Sequence, residues 1–454
     1  MKNCAVLLVV YLCIAASPTS AANEGQQLLA FTHAVIIDGK GGAPVEGGAL
    51  IVRGSRIEAV GSMEDVAIPP GAEVIDLGGR TIMPGLADMH VHLVGGWDGK
   101  SPDMLGYQRY LNALLYSGVT TVLDLGNVLP FIVQLRNEVA AGRIRGPQIY
   151  CAGPLIDGAD PFWPHLSVSL TSVDQIPNVV SRLAKERVDV LKAYVGLSDR
   201  LMSALVREGR KQSLPVFVDQ SWRNGSIELV MGDGVTVFAH APDFPPTPES
   251  VAMMKPREVR FITTLTVVES QSRRRLSDLS FVDSPLILKT VPPSFISALR
   301  AEAERELGET ERNSAAHNTQ RLKMRETSVK RLFDAGLLLV AGTDAPYPGV
   351  FQGEGLHREL ELVVEAGLRP IDAITLATAN AARLMGAERE WGTLESGKRA
   401  DMIVVNGRPD QRIQESRNID MVVLRGRMLD RSALELDPEK DPGFEPVVAE
   451  PISD

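Results

Sequence analysis

The stretch Thr81-Ile82-Met83-Pro84-Gly85-Leu86-Ala87-Asp88-Met89-His90-Val91-His92-Leu93 is where the chain changes character. An apolar run broken by Pro84-Gly85 ends in two histidines one residue apart. On a strand, residues i and i+2 share a face. His90 and His92 would therefore aim two imidazoles at one point, which is what a metal ion needs. Taken alone, a His-x-His on a strand is more often a surface pair than a metal site. Its weight depends on what the rest of the chain brings near it.

Downstream of this stretch, apolar strands alternate with helical segments. Strand-like runs fall at Val119–Asp124, Pro147–Ala152, Val188–Tyr194, Val216–Asp219, Val235–His240, Phe261–Thr266 and Leu337–Asp344. With the opening stretch they make eight, and eight strands alternating with helices predict an α/β fold of the parallel (β/α)8 TIM-barrel type. Upstream, Ala34–Gly39, Ala49–Gly54, Arg56–Gly61 and Glu73–Gly79 read as short strands closed by tight turns. The same texture returns at Ala400–Val405 and Asp420–Gly426. The simplest organisation is a small β-sandwich domain built from residues 23–81 and 391–432, a barrel over residues 82–390 inserted between its halves, and a tail over 433–454. Residues 269–320 are longer and more polar than a barrel connection needs, with Ala298–Leu307 as a charged, exposed helix. Such an insertion is a candidate lid, homo-oligomer contact or mobile loop. The tail is rich in Pro, Asp and Glu and is expected to be extended.

The formal net charge of −10, without a basic stripe, argues against nucleic acid as a partner. Arg273-Arg274-Arg275 reads as a solvated loop. Residues 1–22 read as a secretory signal: Lys2, an apolar Ala5–Ala16 segment, then the small residues Thr19–Ala22. No later run is long enough to span a membrane. The expectation is export to a periplasm or the extracellular space. Cys4 and Cys13 lie in the signal, so Cys151 stands alone beyond it and reads as a small buried apolar residue.

In a parallel barrel the chemistry sits at the C-terminal strand ends. Those ends carry His90 and His92, Asp124, Lys192, Asp219 or Gln220, His240 and Asp344. Imidazole and carboxylate are ligands for zinc-like ions. Each residue has a plainer reading. His240 could be a hydrogen-bonded core histidine, and Asp344 or Asp124 could cap the next helix. Lys192 is the hardest to explain away, because burying it without a partner costs several kcal/mol.

These motifs together resemble the amidohydrolase superfamily of metal-dependent hydrolases, and within it the imidazolonepropionase and Xaa-Pro dipeptidase-like group. The similarity rests on Ile82–His92, on Gly342-Thr343-Asp344, on Glu359–Leu368, on Ala377–Arg383 and on the re-entry Gly392–Asp401. It implies a first metal held by His90, His92 and Asp344. It implies a second ion held by His240, with Lys192 as a bridging ligand after carboxylation by carbon dioxide. Zinc is the expected metal, as one or two ions. At strand five the family usually places a histidine, and here the run is Val216-Phe217-Val218-Asp219-Gln220-Ser221-Trp222. Counting from Pro215 puts Asp219 in that slot; counting back from His240 puts Gln220 there. A single-metal site is therefore open.

The implied activity is hydrolysis of an amide-like C–N bond of a small molecule, such as a dipeptide, an N-acyl amino acid or a cyclic amide. Asp344 would act as the proton-transferring residue. An esterase or lactonase on the same site, or a degenerate binding protein, are the alternatives. His165, Tyr194 and Trp222 are candidate substrate contacts. His357 is a candidate support for the site, and His33 and His317 are expected to be exposed.

Overall fold

A computed structural model describes residues 27–99, 101–219, 231–232, 234–439 and 441. The expected signal segment, most of the tail, Gln220 and Trp222 lie outside the described residues. The strands are β1 (Leu28–Ile36), β2 (Val45–Arg53), β3 (Arg56–Ser62), β4 (Glu73–Asp76), β5 (Thr81–Pro84), β6 (Leu86–Val91), β7 (Val119–Asp124), β8 (Gln148–Cys151), β9 (Leu155–Asp157), β10 (Ser167–Ser169), β11 (Leu191–Ala193), β12 (Val216–Val218), β13 (Val237–Phe238), β14 (Arg260–Ile262), β15 (Leu338–Val340), β16 (Met402–Val405), β17 (Ile419–Leu424) and β18 (Arg427–Met428).

The two ends of the chain meet in one branched sheet, ordered β18-β17-β16-β5-β1-β2-β3 with β4 also on β1. Strand β1 serves two partners along one edge. Its first half pairs with β4, from Leu29 opposite Glu73. Past a register shift, Val35 and Ile36 pair with Thr81 and Ile82 of β5. Strand β16 lies antiparallel to β5, with Val404 opposite Ile82. The C-terminal segment is thereby locked to the strand that leads directly into the histidine pair.

The central strands are parallel to one another and fall into a three-stranded sheet β6-β7-β8 and a seven-stranded sheet β10-β9-β11-β12-β13-β14-β15. The third expected strand is split into β8 and β9. The two sheets are stitched together by backbone bonds. Asp189 N–H donates to Cys151 C=O at 2.8 Å, and at the opposite edge Met89 N–H donates to Ala341 C=O at 3.1 Å. The arrangement is TIM-barrel-like.

Alternation along these strands sorts the side chains into two apolar layers. Leu123, Val190, Phe217, Val237, Ile262 and Val340 pack in one cluster. Their neighbours Val122, Leu191, Val216, Phe238, Phe261 and Leu339 pack in the other, under the surrounding helices. The same period-two logic carries Lys192 inward two residues after Val190 and Asp219 inward two residues after Phe217.

The insertion is more ordered than a loop. Helices Pro293–Glu304 and Glu309–Asp334 dominate it. Phe281, Val282, Ile287, Phe295 and Leu299 form an apolar cluster that reaches Trp97 and Phe351. The basic triplet is not a solvated loop. Arg275 is buried, paired to Glu354 at 2.8 Å and stacked 3.6 Å over the Phe281 ring. Arg273 pairs with Glu302 and Arg274 with Glu365. A run of three arginines was solvent-facing only in isolation; tertiary packing supplied carboxylates for each. Cys151 is buried as expected, and burial pushes its thiol up to about 12.

Candidate metal centre

His90 and His92 leave the end of β6 where its pairing to β7 slips between Asp88 and Val91. Ala87 and Met89 belong to the interior layer, so strict alternation would not send His90 to the same side. The register slip re-aims it. Two glycines make room. A Cβ on Gly126 would sit 3.2 Å from the His92 ring, and one on Gly342 would sit 2.9 Å from the His90 backbone nitrogen.

Each imidazole is tied at Nδ1. His90 Nδ1 donates to the carbonyl of Ala239 at 2.9 Å, and His92 Nδ1 donates to the carbonyl of Gly126 at 3.1 Å. The Nε2 atoms converge on Asp344 Oδ1, at 3.3 Å from His90 and 3.0 Å from His92. Asp344 reaches that point because its backbone is left-handed, φ 62°, and its N–H donates to His90 C=O at 2.7 Å. The three ligand atoms lie within 4.8 Å of one another. Two imidazole nitrogens and a carboxylate oxygen around one point are a donor set for a divalent ion of the zinc type.

Electrostatics suit that use. Burial holds His90 well below its ordinary value, so it stays neutral. Burial also pulls His92 down, but the hydrogen bond and charge of Asp344 outweigh it and leave it raised. Burial alone would raise Asp344, yet its interaction with the His90 imidazole and the His92 hydrogen bond hold it well below the usual carboxylate range.

Beside this cluster stands a second one. The Nζ atom of Lys192, which is 1% exposed, lies 3.3 Å from Asp219 Oδ2 and makes no hydrogen bond of good geometry. His240 Nε2 lies 3.0 Å from the same Oδ2 and its Nδ1 2.7 Å from Thr264 Oγ1. The His90 and His240 rings are 4.8 Å apart. Of the two candidates for the strand-five position, Asp219 faces the site. Burial opposes its ionisation, and its interactions with the His240 imidazole and with Lys192 overcome that and hold it well below the usual range.

Asp124 does not cap the next helix, Leu129–Ala140, whose N-cap is Val128; it braces the loops at the strand ends instead. It accepts from the Leu93 and Gly126 amides at 2.8 and 3.1 Å and from the Asn127 side chain at 2.7 Å. Tyr194 sits half-buried with its ring 5.9 Å from Lys192 Nζ and its hydroxyl accepting from Trp163 Nε1 at 3.1 Å. His165 is exposed; on that loop it is Trp163 that reaches Tyr194. His33 and His317 are exposed as expected.

Several supporting residues escaped the sequence reading. Buried Asp88 bonds the Thr343 amide at 3.0 Å and hydroxyl at 2.7 Å, tying the histidine strand to the aspartate strand. Burial pushes the Asp88 carboxyl up to about 7. Glu359 accepts from Leu265 N–H at 2.9 Å, from Thr266 N–H at 2.8 Å and from the hydroxyls of Thr263 and Thr266 at 2.5 Å each. The usable signal was acidity in the midst of apolar sequence at Asp88; Glu359, in His357-Arg358-Glu359-Leu360-Glu361, carried no such signal.

Parallel strands, a surrounding helical layer and a His–His–Asp cluster at the strand ends define a TIM-barrel-like protein with a candidate metal centre. Residues 81–429 match the Amidohydrolase family, and the chain belongs to it. It is 24% identical over 397 residues to adenine deaminase 3 of Rhizobium meliloti, covering 86% of this chain and 55% of that protein. The chain thus spans about half the length of the adenine deaminases it matches. Imidazolonepropionase of Deinococcus radiodurans is 25% identical over 390 residues, 80% of this chain and 86% of that one. Among solved structures, a putative prolidase from Bifidobacterium longum superposes with a TM-score of 0.73 at 24% identity, over 90% of this chain and 98% of that one. That likeness concerns the fold. No helix among the described residues is long and apolar enough to cross a membrane.

Proposed function

We propose that this chain is a metal-dependent hydrolase that cleaves an amide-like C–N bond of a small molecule, with His90, His92 and Asp344 holding the metal and zinc as the ion. The observation that carries this reading is the convergence of two Nε2 atoms and Asp344 Oδ1 on one point while both Nδ1 atoms are committed to carbonyls. Membership of the amidohydrolase family supports it, as do the imidazolonepropionase and prolidase likenesses.

A divalent ion bound there supplies a Lewis acid, which polarises a carbonyl and makes water acidic near neutral pH. The chain does the rest. Asp344 keeps Oδ1 against both imidazoles, and its carboxylate would carry the proton that must move from water to the leaving nitrogen. Asp88 and Thr343 hold the strands that carry these ligands in register. Tyr194 and Trp163 form a wall beside Lys192 against which an apolar part of the substrate would rest. Dipeptides, N-acyl amino acids and cyclic amides are the substrate class.

The same reading takes the eight parallel strand positions as a closed barrel over residues 82–390. It takes the terminal sheet as a β-sandwich domain formed by residues 23–81 and 391–432, and the chain as exported under the direction of residues 1–22. Turnover of a panel of Xaa-Pro dipeptides, N-acyl amino acids, hydantoin-like rings and lactones by zinc-loaded protein tests the activity. Cleavage of at least one C–N substrate, abolished by chelation, is expected. Turnover of lactones alone would sink the C–N assignment.

A further inference from the structure

A histidine binds a metal through the ring nitrogen that carries no proton, and the partner of its other nitrogen decides which one that is. For His90 and His92 the outcome is forced. Each Nδ1 faces a backbone carbonyl, which can only accept. Nδ1 keeps the proton, and Nε2 presents its lone pair to the point shared with Asp344.

His240 is wired the other way round. Its Nδ1 lies 2.7 Å from Thr264 Oγ1, a group that can donate as well as accept. That oxygen already receives an N–H from Arg325 Nη1 at 3.3 Å, and Arg325 has no acceptor to offer in return. A hydroxyl can accept twice and donate once, and His240 Nδ1, at 2.7 Å, is placed to take its hydrogen. With that hydrogen given to Nδ1, the imidazole proton sits on Nε2, and Nε2–H donates to Asp219 Oδ2 at 3.0 Å. Donors and acceptors match along the whole line from Arg325 through Thr264 and His240 to Asp219.

The protein goes to some lengths to keep this line. Thr264 is β-branched yet left-handed, at φ 47° and ψ 47°, a conformation such residues avoid unless their surroundings impose it. Glu359 imposes it by gripping Thr263, Leu265 and Thr266 on both sides. Arg325 is 1% exposed on the helix Glu309–Asp334. Its Nε also bonds Asp243 Oδ1 at 2.5 Å, in the loop just past His240, where Arg321 adds a second bond at 2.8 Å. The long insertion helix is thus a support of the site.

We propose that Lys192, Asp219 and His240 do not hold a second metal ion. They form a charge-paired wall beside a single-ion site, in which Asp219 is hydrogen-bonded to His240 and ion-paired with an uncarboxylated Lys192. This rests on the metal-site reading above and departs from the second ion that the family resemblance implies. The aspartate in the strand-five slot is what pairs the two groups, since one carboxylate oxygen lies within 3.3 Å of both Lys192 Nζ and His240 Nε2.

The full chain is saturated with zinc, desalted and assayed for metal by mass spectrometry. One zinc per chain is expected, and two overturn the proposal. No retained zinc overturns the functional reading, and this inference with it. Histidine-selective 15N labelling of the zinc-loaded protein then reads the tautomers of seven histidines, with His240→Gln assigning the key signal. His240 is expected as the Nε2–H form, and a His240 with a bare Nε2 overturns the proposal. Thr264→Ser keeps a hydroxyl and should retain that form, whereas Thr264→Ala should mix the two tautomers. An unchanged His240 signal in Thr264→Ala overturns the role given to Thr264. A carbamate resonance after growth on 13C-bicarbonate overturns the role given to Lys192.

Discussion

His357 makes the stability of this protein depend on pH in a way that can be isolated. It lies on the helix Glu354–Glu365 and is 0% exposed. Its Nε2 donates to the Ser117 carbonyl at 3.0 Å, and its Nδ1 accepts from the Ser416 hydroxyl at 2.9 Å. It therefore joins the barrel side to the C-terminal segment as a neutral imidazole. Burial, with the Arg417 charge adding to it, lowers its pKa from 6.5 to about 4. The sign follows from linkage. Between those values the unfolded chain binds a proton that the folded chain does not, so stability rises with pH across the window. The contribution is complete above about pH 6.5 and is lost as pH falls toward 4. The full difference is about 3 kcal/mol, and by pH 4.5 about 2.5 kcal/mol of it is gone. Urea unfolding at pH 7.5 and pH 4.5 measures the loss for the wild type and for His357→Gln, which keeps polar contacts but does not titrate. The wild type should lose about 2.5 kcal/mol more than the variant over that interval. Parallel losses in the two proteins would refute the reasoning, because every other titrating group is common to both.

Other outcomes are equally concrete. Asp344→Asn should lower kcat by about 100- to 10,000-fold, the usual share of a proton-transferring side chain, and near-wild-type turnover would remove Asp344 from that role. Chelation should lower the thermal midpoint, and zinc at 100 times its Kd should restore about 2.7 kcal/mol of stability; a midpoint indifferent to zinc would contradict the His90–His92–Asp344 site. Glu359→Ala strands the buried donors of Thr263, Leu265 and Thr266 and should cost about 3 kcal/mol or more, read by urea unfolding, with a loss under about 1 kcal/mol counting against the gripping role.

Much of this architecture is legible without coordinates, for local reasons. Alternation in Val190-Leu191-Lys192 and in Phe217-Val218-Asp219 sends the lysine and the aspartate to the face of the preceding interior residue, and the strands obey it. His90 is less transparent, because the slip after Asp88 changes the phase of the strand. The Arg273–Arg275 triplet misleads for the opposite reason. Its surroundings in sequence are polar, but Glu302, Glu365 and Glu354 come from far along the chain to meet it.

What the sequence alone determined was the repeating strand–helix rhythm, the gathering of both terminal segments into one β unit, and the residue types at the strand ends. These depend on side-chain period and turn chemistry, which are properties of neighbours. Tertiary structure decided which strand-five residue enters the site and what each imidazole is bonded to. Ala239 lies 149 positions from His90, Gly126 lies 34 from His92, and Arg325 lies 61 from Thr264. A histidine becomes a ligand or a proton donor according to the group at its second nitrogen. For His90, His92 and His240 that group lies just past the end of another strand, so the distinction between His90 and His240 is invisible until the strand ends have converged.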